Sequence, residues 1–159
     1  MKDKYQNTLV IIKPDALQRN LLGEILHRFE RKGLQVKGLK MVSLGDTLIE
    51  EHYGHHKDKD FFPPLKKFMQ SSPVVLVVLA GINAISAVRL IVGPTNGAVA
   101  DAGSIRGDFS LSIQSNIVHA SDSEETALTE IKRFFTPEEL FDYVKIDENY
   151  IYAEESFKD

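Results

Sequence analysis

The chain has 159 residues, with 19 Lys and Arg against 23 Asp and Glu, for a formal net charge of −4. A composition 43% hydrophobic and 26% charged is that of a soluble globular chain, and the length fits a single domain over 1–159. No cysteine is present, which excludes disulfides, thiolate metal sites and a cysteine nucleophile; no apolar run approaches the length of a membrane-spanning helix, and mild acidity argues against a general nucleic-acid binder.

The first residues, Met1 to Tyr5, contain no apolar core of the signal-peptide kind. Thr8-Leu9-Val10-Ile11-Ile12 is apolar and rich in β-branched residues, which predicts a strand buried on both faces. Lys13-Pro14-Asp15 ends it, because proline cannot donate to a ladder. Leu22, Ile25, Leu26 and Phe29 share a helical face, so a helix runs to about Lys32 with Gly33 as its stop. Residues 34–43 form a second strand. Its apolar phase slips at Gly38, which predicts a bulge, and its weak alternation predicts an edge position.

A His-rich helical stretch follows around 47–56, then a short helix presenting Leu65, Phe68 and Met69. Pro73 to Ala80 is the strongest strand in the chain and is apolar throughout. Asn83 can cap a helix whose Ala84, Ala87, Val88 and Ile91 share a face. Residues 93–115 hold five glycines and prolines and read mostly as loop; a loop that long in a compact chain is usually functional. Asn116 to His119 is a fourth strand. Ser121-Asp122-Ser123-Glu124 then starts a last helix with capping-box spacing, turning Leu128, Ile131 and Phe135 inward. A tail extends from about residue 137.

This order, with the first and third strands fully apolar, predicts an α/β (α+β) fold. Its expected form is a ferredoxin-like βαββαβ sandwich, a four-stranded antiparallel sheet covered by helices. A doubly wound parallel sheet competes, but its first βα turn needs a glycine fingerprint, and Lys13-Pro14-Asp15-Ala16-Leu17 has none. No P-loop and no protein-kinase glycine loop is present either, so any nucleotide chemistry uses another device.

His119 is the most informative residue. It stands at a strand end before a capped helix start, where backbone N–H groups can hold an anion. A neutral imidazole is a competent nucleophile near neutral pH. Glu130 can orient one ring nitrogen and free the other. The competing reading is a strand-end histidine that only packs. Lys13, Arg89 and Arg106 come from three separate regions, each at or near the end of an element. Converging cations would offset charge on a transferring phosphoryl group; taken singly, each reads as a solvated surface charge. Arg106-Gly107-Asp108-Phe109 faintly resembles an RNA-recognition strand, but the spaced aromatics that motif needs are missing. His52, His55 and His56 lie at helical spacing and can bind zinc, although a surface cluster is the favoured reading. Phe61, Phe62 and Tyr53 stand near them, and an exposed aromatic there can stack on a base.

These segments closely resemble the nucleoside diphosphate kinases, over residues 8 to about 152. The segments that carry it are Thr8 to Asp15, Gly23-Glu24-Ile25, Arg28-Phe29-Glu30, Glu51-His52-Tyr53, Phe61-Phe62, Ile105 to Phe109 and Asn116 to Ser123, the last being the family's signature. The resemblance implies a ferredoxin-like sandwich and reversible transfer of a γ-phosphoryl group from a nucleoside triphosphate, typically ATP, to a nucleoside diphosphate. His119 would carry the group as a phosphohistidine in a ping-pong cycle. Glu130 and Ser121 would position the imidazole. Lys13, Tyr53, Arg89, Thr95, Arg106 and Asn116 would hold sugar and phosphates or line the reaction site, and Phe61 would stack on the base. Mg²⁺ would enter bound to the phosphates, with no protein ligand of its own. A cytoplasmic homo-oligomer is implied, the long tail favouring a hexamer over a tetramer. A non-catalytic nucleotide-binding or scaffold protein of the same fold is the alternative. Ala16 and Ala120 stand where the family usually has glycine. Alanine tolerates positive φ poorly, so both turns are expected to differ slightly. Residues 94–104 lack the family's proline after Thr95, which puts that loop on its own conformation.

Overall fold

A computed structural model describes residues 5–153; the N-terminal segment 1–4 and the end of the tail, 154–159, lie outside the described residues. Four strands, β1 (Tyr5–Ile12), β2 (Gln35–Val42), β3 (Val74–Ile82) and β4 (Val118–Ala120), form one sheet in the order β2-β3-β1-β4, and every neighbouring pair is antiparallel. The two apolar strands are central and β2 is an edge, as the alternation predicts. The ladder of β2 on β3 shifts register between Val36 and Gly38. A Cβ at Gly38 would lie 2.9 Å from the Leu140 side chain and 3.2 Å from the Glu139 carbonyl oxygen, so the bulge needs glycine to admit the tail.

Eight helices complete the described chain: α1 (Pro14–Gln18), α2 (Leu22–Arg31), α3 (Asp46–Tyr53), α4 (Phe62–Met69), α5 (Ala84–Val92), α6 (Ile105–Phe109), α7 (Glu124–Phe134) and α8 (Glu148–Ile151). Strand periodicity sorts the core into two layers. Val10 and Ile12 pack with Ile25 and Phe29 of α2 and Val88 of α5 on one face. Leu9 and Ile11 pack with Ile49 of α3, Met69 of α4 and Ile131 and Phe134 of α7 on the other. Both faces are therefore covered, which is why β1 and β3 carry no polar alternation.

Several local expectations are corrected. β1 ends at Ile12, before Lys13-Pro14-Asp15 as expected, but the segment that follows is helix and not loop: Pro14 occupies the first turn of α1, where its missing N–H costs nothing. Asn83 sits at the start of α5 but in a left-handed conformation (φ 53°), and its side chain makes no cap bond. Gln6 of the neighbouring strand accepts the Ile85 N–H instead, at 3.3 Å. The cap of α7 is Ser123, which accepts from Thr126 N–H at 3.1 Å, and not Ser121. The buried face of α7 is Ala127, Glu130, Ile131 and Phe134, so Leu128 falls outside it and is exposed. Loop 93–115 contains α6 and a short 3₁₀ turn, Gly97–Val99, where Asn96 accepts the Ala98 N–H at 3.1 Å without any proline. Ala16 and Ala120 lie in α1 and β4 and are not among the positive-φ residues, so alanine strains neither turn. The tail crosses back over β2. The Phe141 N–H donates to the Lys37 carbonyl at 2.8 Å, the Tyr143 hydroxyl to the Val36 carbonyl at 2.9 Å, and Lys37 pairs with Asp142.

Candidate active site

One cleft of about 950 Å³ opens where β1, β4, α3 and α7 meet. Its position follows from strand register. His119 is paired with Ile11 across β1 and β4, and cross-strand partners share a face. Ile11 faces the α3–α7 layer, so the imidazole emerges there too. Lys13 continues β1 in the same phase, two residues beyond Ile11.

Glu130 Oε1 and Oε2 stand 2.9 and 3.1 Å from His119 Nε2. A carboxylate only accepts, so Nε2 carries the proton and Nδ1 keeps its lone pair. The Ser121 hydroxyl donates to Glu130 Oε2 at 2.5 Å and accepts the Leu9 N–H at 3.3 Å. Burial pushes the Glu130 carboxyl up, but the hydrogen bonds and charge of His119, with Ser121, outweigh it and hold it below the usual carboxylate range.

Three cations, Lys13, Arg89 and Arg106, line the same cleft. Lys13 Nζ donates to Asn116 Oδ1 at 2.6 Å, and the Asn116 amide donates to the Thr95 carbonyl at 2.9 Å. Arg106 reaches three backbone carbonyls: Asn116 at 3.3 Å, Gly93 at 2.9 Å and Val118 at 2.7 Å. These partners are neutral oxygens, so both charges remain available to an anion. Burial and then Arg106 pull the Lys13 ammonium down to about 8; burial and then Arg89 pull Arg106 down to about 10. Arg89 and Thr95 are exposed and line the same cleft. Gly107 permits the placement of Arg106, since a Cβ there would meet the Asp101 carbonyl oxygen at 2.0 Å. This segment is helical (α6), which removes the RNA-strand reading of Arg106 to Phe109.

Two of the carbonyls that hold Arg106, those of Asn116 and Val118, are aimed by a strained turn. Ile117 has φ 75°, outside the ordinary range for a β-branched residue. The Val118 N–H closes a tight turn onto the Asn116 carbonyl at 2.8 Å, and Asp15 Oδ2 accepts the Ile117 N–H at 3.1 Å. Nothing in the residue pattern signals this conformation, because isoleucine favours the opposite.

The remaining expected residues are also here. Phe61 is 48% exposed at the cleft mouth, as a base-stacking platform requires, while Phe62 is buried in the core. Tyr53 lines the cleft with its hydroxyl buried and without a hydrogen-bond partner among the described residues, and burial followed by the Glu130 charge raises its pKa. The three-histidine face does not form. His55 and His56 lie tilted against each other with ring centroids 3.8 Å apart, and His56 meets Phe61 at 5.0 Å. His52 instead turns inward, packing edge-on to His119 at 4.7 Å. Burial, then His119, push it down to about 3. Sequence reasoning placed His52 on a surface face. The signal that could have moved it is its position next to Tyr53, three residues after the buried Ile49.

His52, His119 and Glu130 offer ligand atoms within 4.8 Å of one another, the grouping among the described residues that could hold a metal. Those atoms are already engaged: Glu130 by His119 and Ser121, and His52 Nδ1 by Arg133 at 3.2 Å. The imidazole donors also suit a softer ion than Mg²⁺, which favours oxygen and water.

A carboxylate-held imidazole and cations hydrogen-bonded only to neutral oxygens line one cleft on a ferredoxin-like sheet, the equipment of a phosphotransferase. Residues 6–140 match the family model of nucleoside diphosphate kinase. The chain is 51% identical over 152 residues to the nucleoside diphosphate kinase of Parabacteroides distasonis, covering 96% of this chain and 99% of that protein. It is 46% identical over 147 residues to human nucleoside diphosphate kinase A, covering 92% and 97%. Among solved structures, a halophilic nucleoside diphosphate kinase of Halobacterium salinarum in complex with CDP superposes with a TM-score of 0.90 at 38% identity, covering 94% of this chain and 99% of that one. The chain belongs to the nucleoside diphosphate kinase family, and it is a nucleotide-binding kinase of the transferase class.

Proposed function

We propose that the protein moves the γ-phosphoryl group of a nucleoside triphosphate to a nucleoside diphosphate through a phosphohistidine at His119. The observation that carries this reading is the Glu130 carboxylate on Nε2, which leaves Nδ1 as the nucleophile. In the first half-reaction Nδ1 attacks the γ-phosphorus, an N–P bond forms, and the bond to the β–γ bridging oxygen breaks. The diphosphate leaves with that electron pair. The proton on Nε2 stays shared with Glu130, which offsets the positive charge the ring develops. The second half-reaction is the reverse with a different diphosphate, so two nucleotides never occupy the cleft together. Lys13, Arg106 and Arg89 would neutralise the phosphates, Asn116 would hold Lys13 in place, Thr95 would contact the phosphates, and the Tyr53 hydroxyl would reach toward the reacting group.

Phe61 gives a base a stacking face without an edge to read, which supports broad base tolerance. Mg²⁺ bound to the nucleotide's phosphates would supply further charge neutralisation beside Lys13, Arg89 and Arg106. The single domain would act as part of a cytoplasmic homo-oligomer, with a hexamer favoured; exposed Leu39 and Met41 on edge strand β2 support a subunit contact there. None of the helices in the described residues is long and apolar enough to cross a membrane.

Single-turnover incubation with γ-labelled ATP tests the reading, followed by a chase with several diphosphates. The wild-type protein should take up acid-labile, alkali-stable label and pass it to each diphosphate; His119→Ala should take up none. Label that survives acid, or labelling of His119→Ala, would overturn it. A non-catalytic scaffold would bind nucleotide and never label.

A further inference from the structure

We propose that Arg133 is a positioning residue for phosphoryl transfer, acting through His52 to reserve the Glu130 carboxylate for His119. The inference rests on the reading of His119 as the phosphoryl acceptor and extends it to two residues that reading leaves without a role.

His52 sits against the catalytic pair and competes with it. Its Nδ1 lies 3.7 Å from Glu130 Oε1, the oxygen that also stands 2.9 Å from His119 Nε2. That separation is too long for a hydrogen bond but short enough to become one by a small side-chain rotation. If Nδ1 carried a proton it would be drawn to the charged oxygen, at the expense of the bond that sets the His119 tautomer and ring orientation. Arg133 removes that competition. Its Nη1 stands 3.2 Å from His52 Nδ1. A guanidinium has donors only, so His52 must accept there, and its own proton is confined to Nε2. His52 Nε2 is buried and has no hydrogen-bond partner among the described residues, a cost that a histidine free to choose its tautomer would avoid by turning the proton toward Glu130.

The surroundings hold this arrangement. His52 is 5% exposed and is packed by Tyr53 at 4.4 Å, His119 at 4.7 Å and Phe134 at 5.1 Å between ring centroids. The charged or titratable groups facing it are Glu130 and Arg133 of α7, His119 of β4, and Tyr53 and His55 beside it in sequence. Arg133 follows Glu130 by three residues on α7, so one helix presents the carboxylate to His119 and the guanidinium to its competitor.

The test uses the full chain with ¹⁵N-labelled histidine, together with steady-state kinetics. In the wild-type protein His52, identified by the resonances missing from His52→Phe, should show protonated Nε2 and an Nδ1 lone pair. Arg133→Leu should shift His52 toward protonated Nδ1 and lower kcat about tenfold with KM little changed, the rate equivalent of a weakened charge-assisted hydrogen bond. Arg133→Lys, which still donates, should restore most of kcat. In a His52→Phe background, Arg133→Leu should add little. The proposal is overturned by an unchanged tautomer in Arg133→Leu, by a rise in KM alone, or by an undiminished rate loss in the His52→Phe background. The last two would mean that Arg133 touches nucleotide directly. The tautomer is read without turnover, so it separates this proposal from the phosphohistidine reading, which the labelling of His119→Ala decides.

Discussion

The Ser121 hydroxyl reaches Glu130 Oε2 at 2.5 Å while accepting the Leu9 amide proton at 3.3 Å. Central strand β1 thereby fixes the carboxylate that orients His119. The oxygen of a serine at this position can serve both ends because it accepts one bond and donates the other. The arrangement ties the orientation of the His119 ring to central strand β1 and not only to the short edge strand β4 that carries it.

Ser121→Ala removes both bonds and leaves the Leu9 N–H buried without this partner. A hydrogen bond to a charged group is worth about 1.5–3 kcal/mol, so both stability and rate should suffer. We expect a fall in thermal midpoint, and a drop in kcat of about tenfold or more with KM little changed, because the loss concerns ring orientation. Calorimetry and steady-state kinetics on the same preparation would check it. A variant as fast as wild type would show that His119 alone is enough to hold Glu130.

Lys13 sets a pH limit. Its ammonium is pulled from 10.5 to about 8 in the fold, by burial and then by Arg106. Nucleotide affinity should weaken as pH rises through about 8 and the charge is lost. Stability moves the other way. Between about 8 and 10.5 the unfolded chain holds a proton that the folded one has released, so unfolding becomes harder as pH rises across that window. Binding titrations and denaturant unfolding over this range, compared with Lys13→Met, isolate the contribution. In Lys13→Met both trends should flatten, and binding at neutral pH should already be weak.

Phe61 is expected to supply affinity without choice. Base stacking on an aromatic ring contributes about 1–3 kcal/mol and uses the π-face that every base offers. Phe61→Ala should therefore raise KM for purine and pyrimidine nucleotides by similar factors and leave their ranking intact. A selective loss for one base would mean that an edge contact, and not the ring face, does the holding. His56, edge-on to Phe61 at 5.0 Å, is the nearest source of one.

The sheet was legible because its signals are local. Uninterrupted β-branched runs mark β1 and β3 as central, and the phase slip at Gly38 marks both the bulge and the edge strand. The residues of the site were legible as chemistry: a histidine, a carboxylate one helix away, and cations at element ends. What could not be read depends on the third dimension. Ser121 and Ser123 both fit a helix cap, and only packing against β1 sends Ser121 to Glu130. Leu128 loses its place inside because Glu130, a charged residue, takes the buried face. His52 leaves the surface because its partners, His119 and Arg133, are distant in sequence. Proline after a strand suits a loop or a first helical turn equally, so α1 was missed.

Asp15 holds the strained turn that aims the cation-binding carbonyls. A positive φ at a β-branched residue costs on the order of 1–3 kcal/mol and persists only where its surroundings enforce it. Three bonds do so at Ile117: its N–H to Asp15, its carbonyl from the Lys13 N–H at 2.9 Å, and the Val118-to-Asn116 closure. Asp15→Ala deletes the first. The turn should relax, carrying the Asn116 and Val118 carbonyls away from Arg106 and the Asn116 amide away from Lys13. We expect a fall in thermal midpoint of several degrees, together with a loss in kcat/KM larger than for a surface aspartate such as Asp58. Asp15→Asn keeps an acceptor for the Ile117 N–H and should recover much of both. If Asp15→Ala and Asp15→Asn behave alike, the negative charge of Asp15 beside Lys13, rather than the hydrogen bond to Ile117, is what the site depends on.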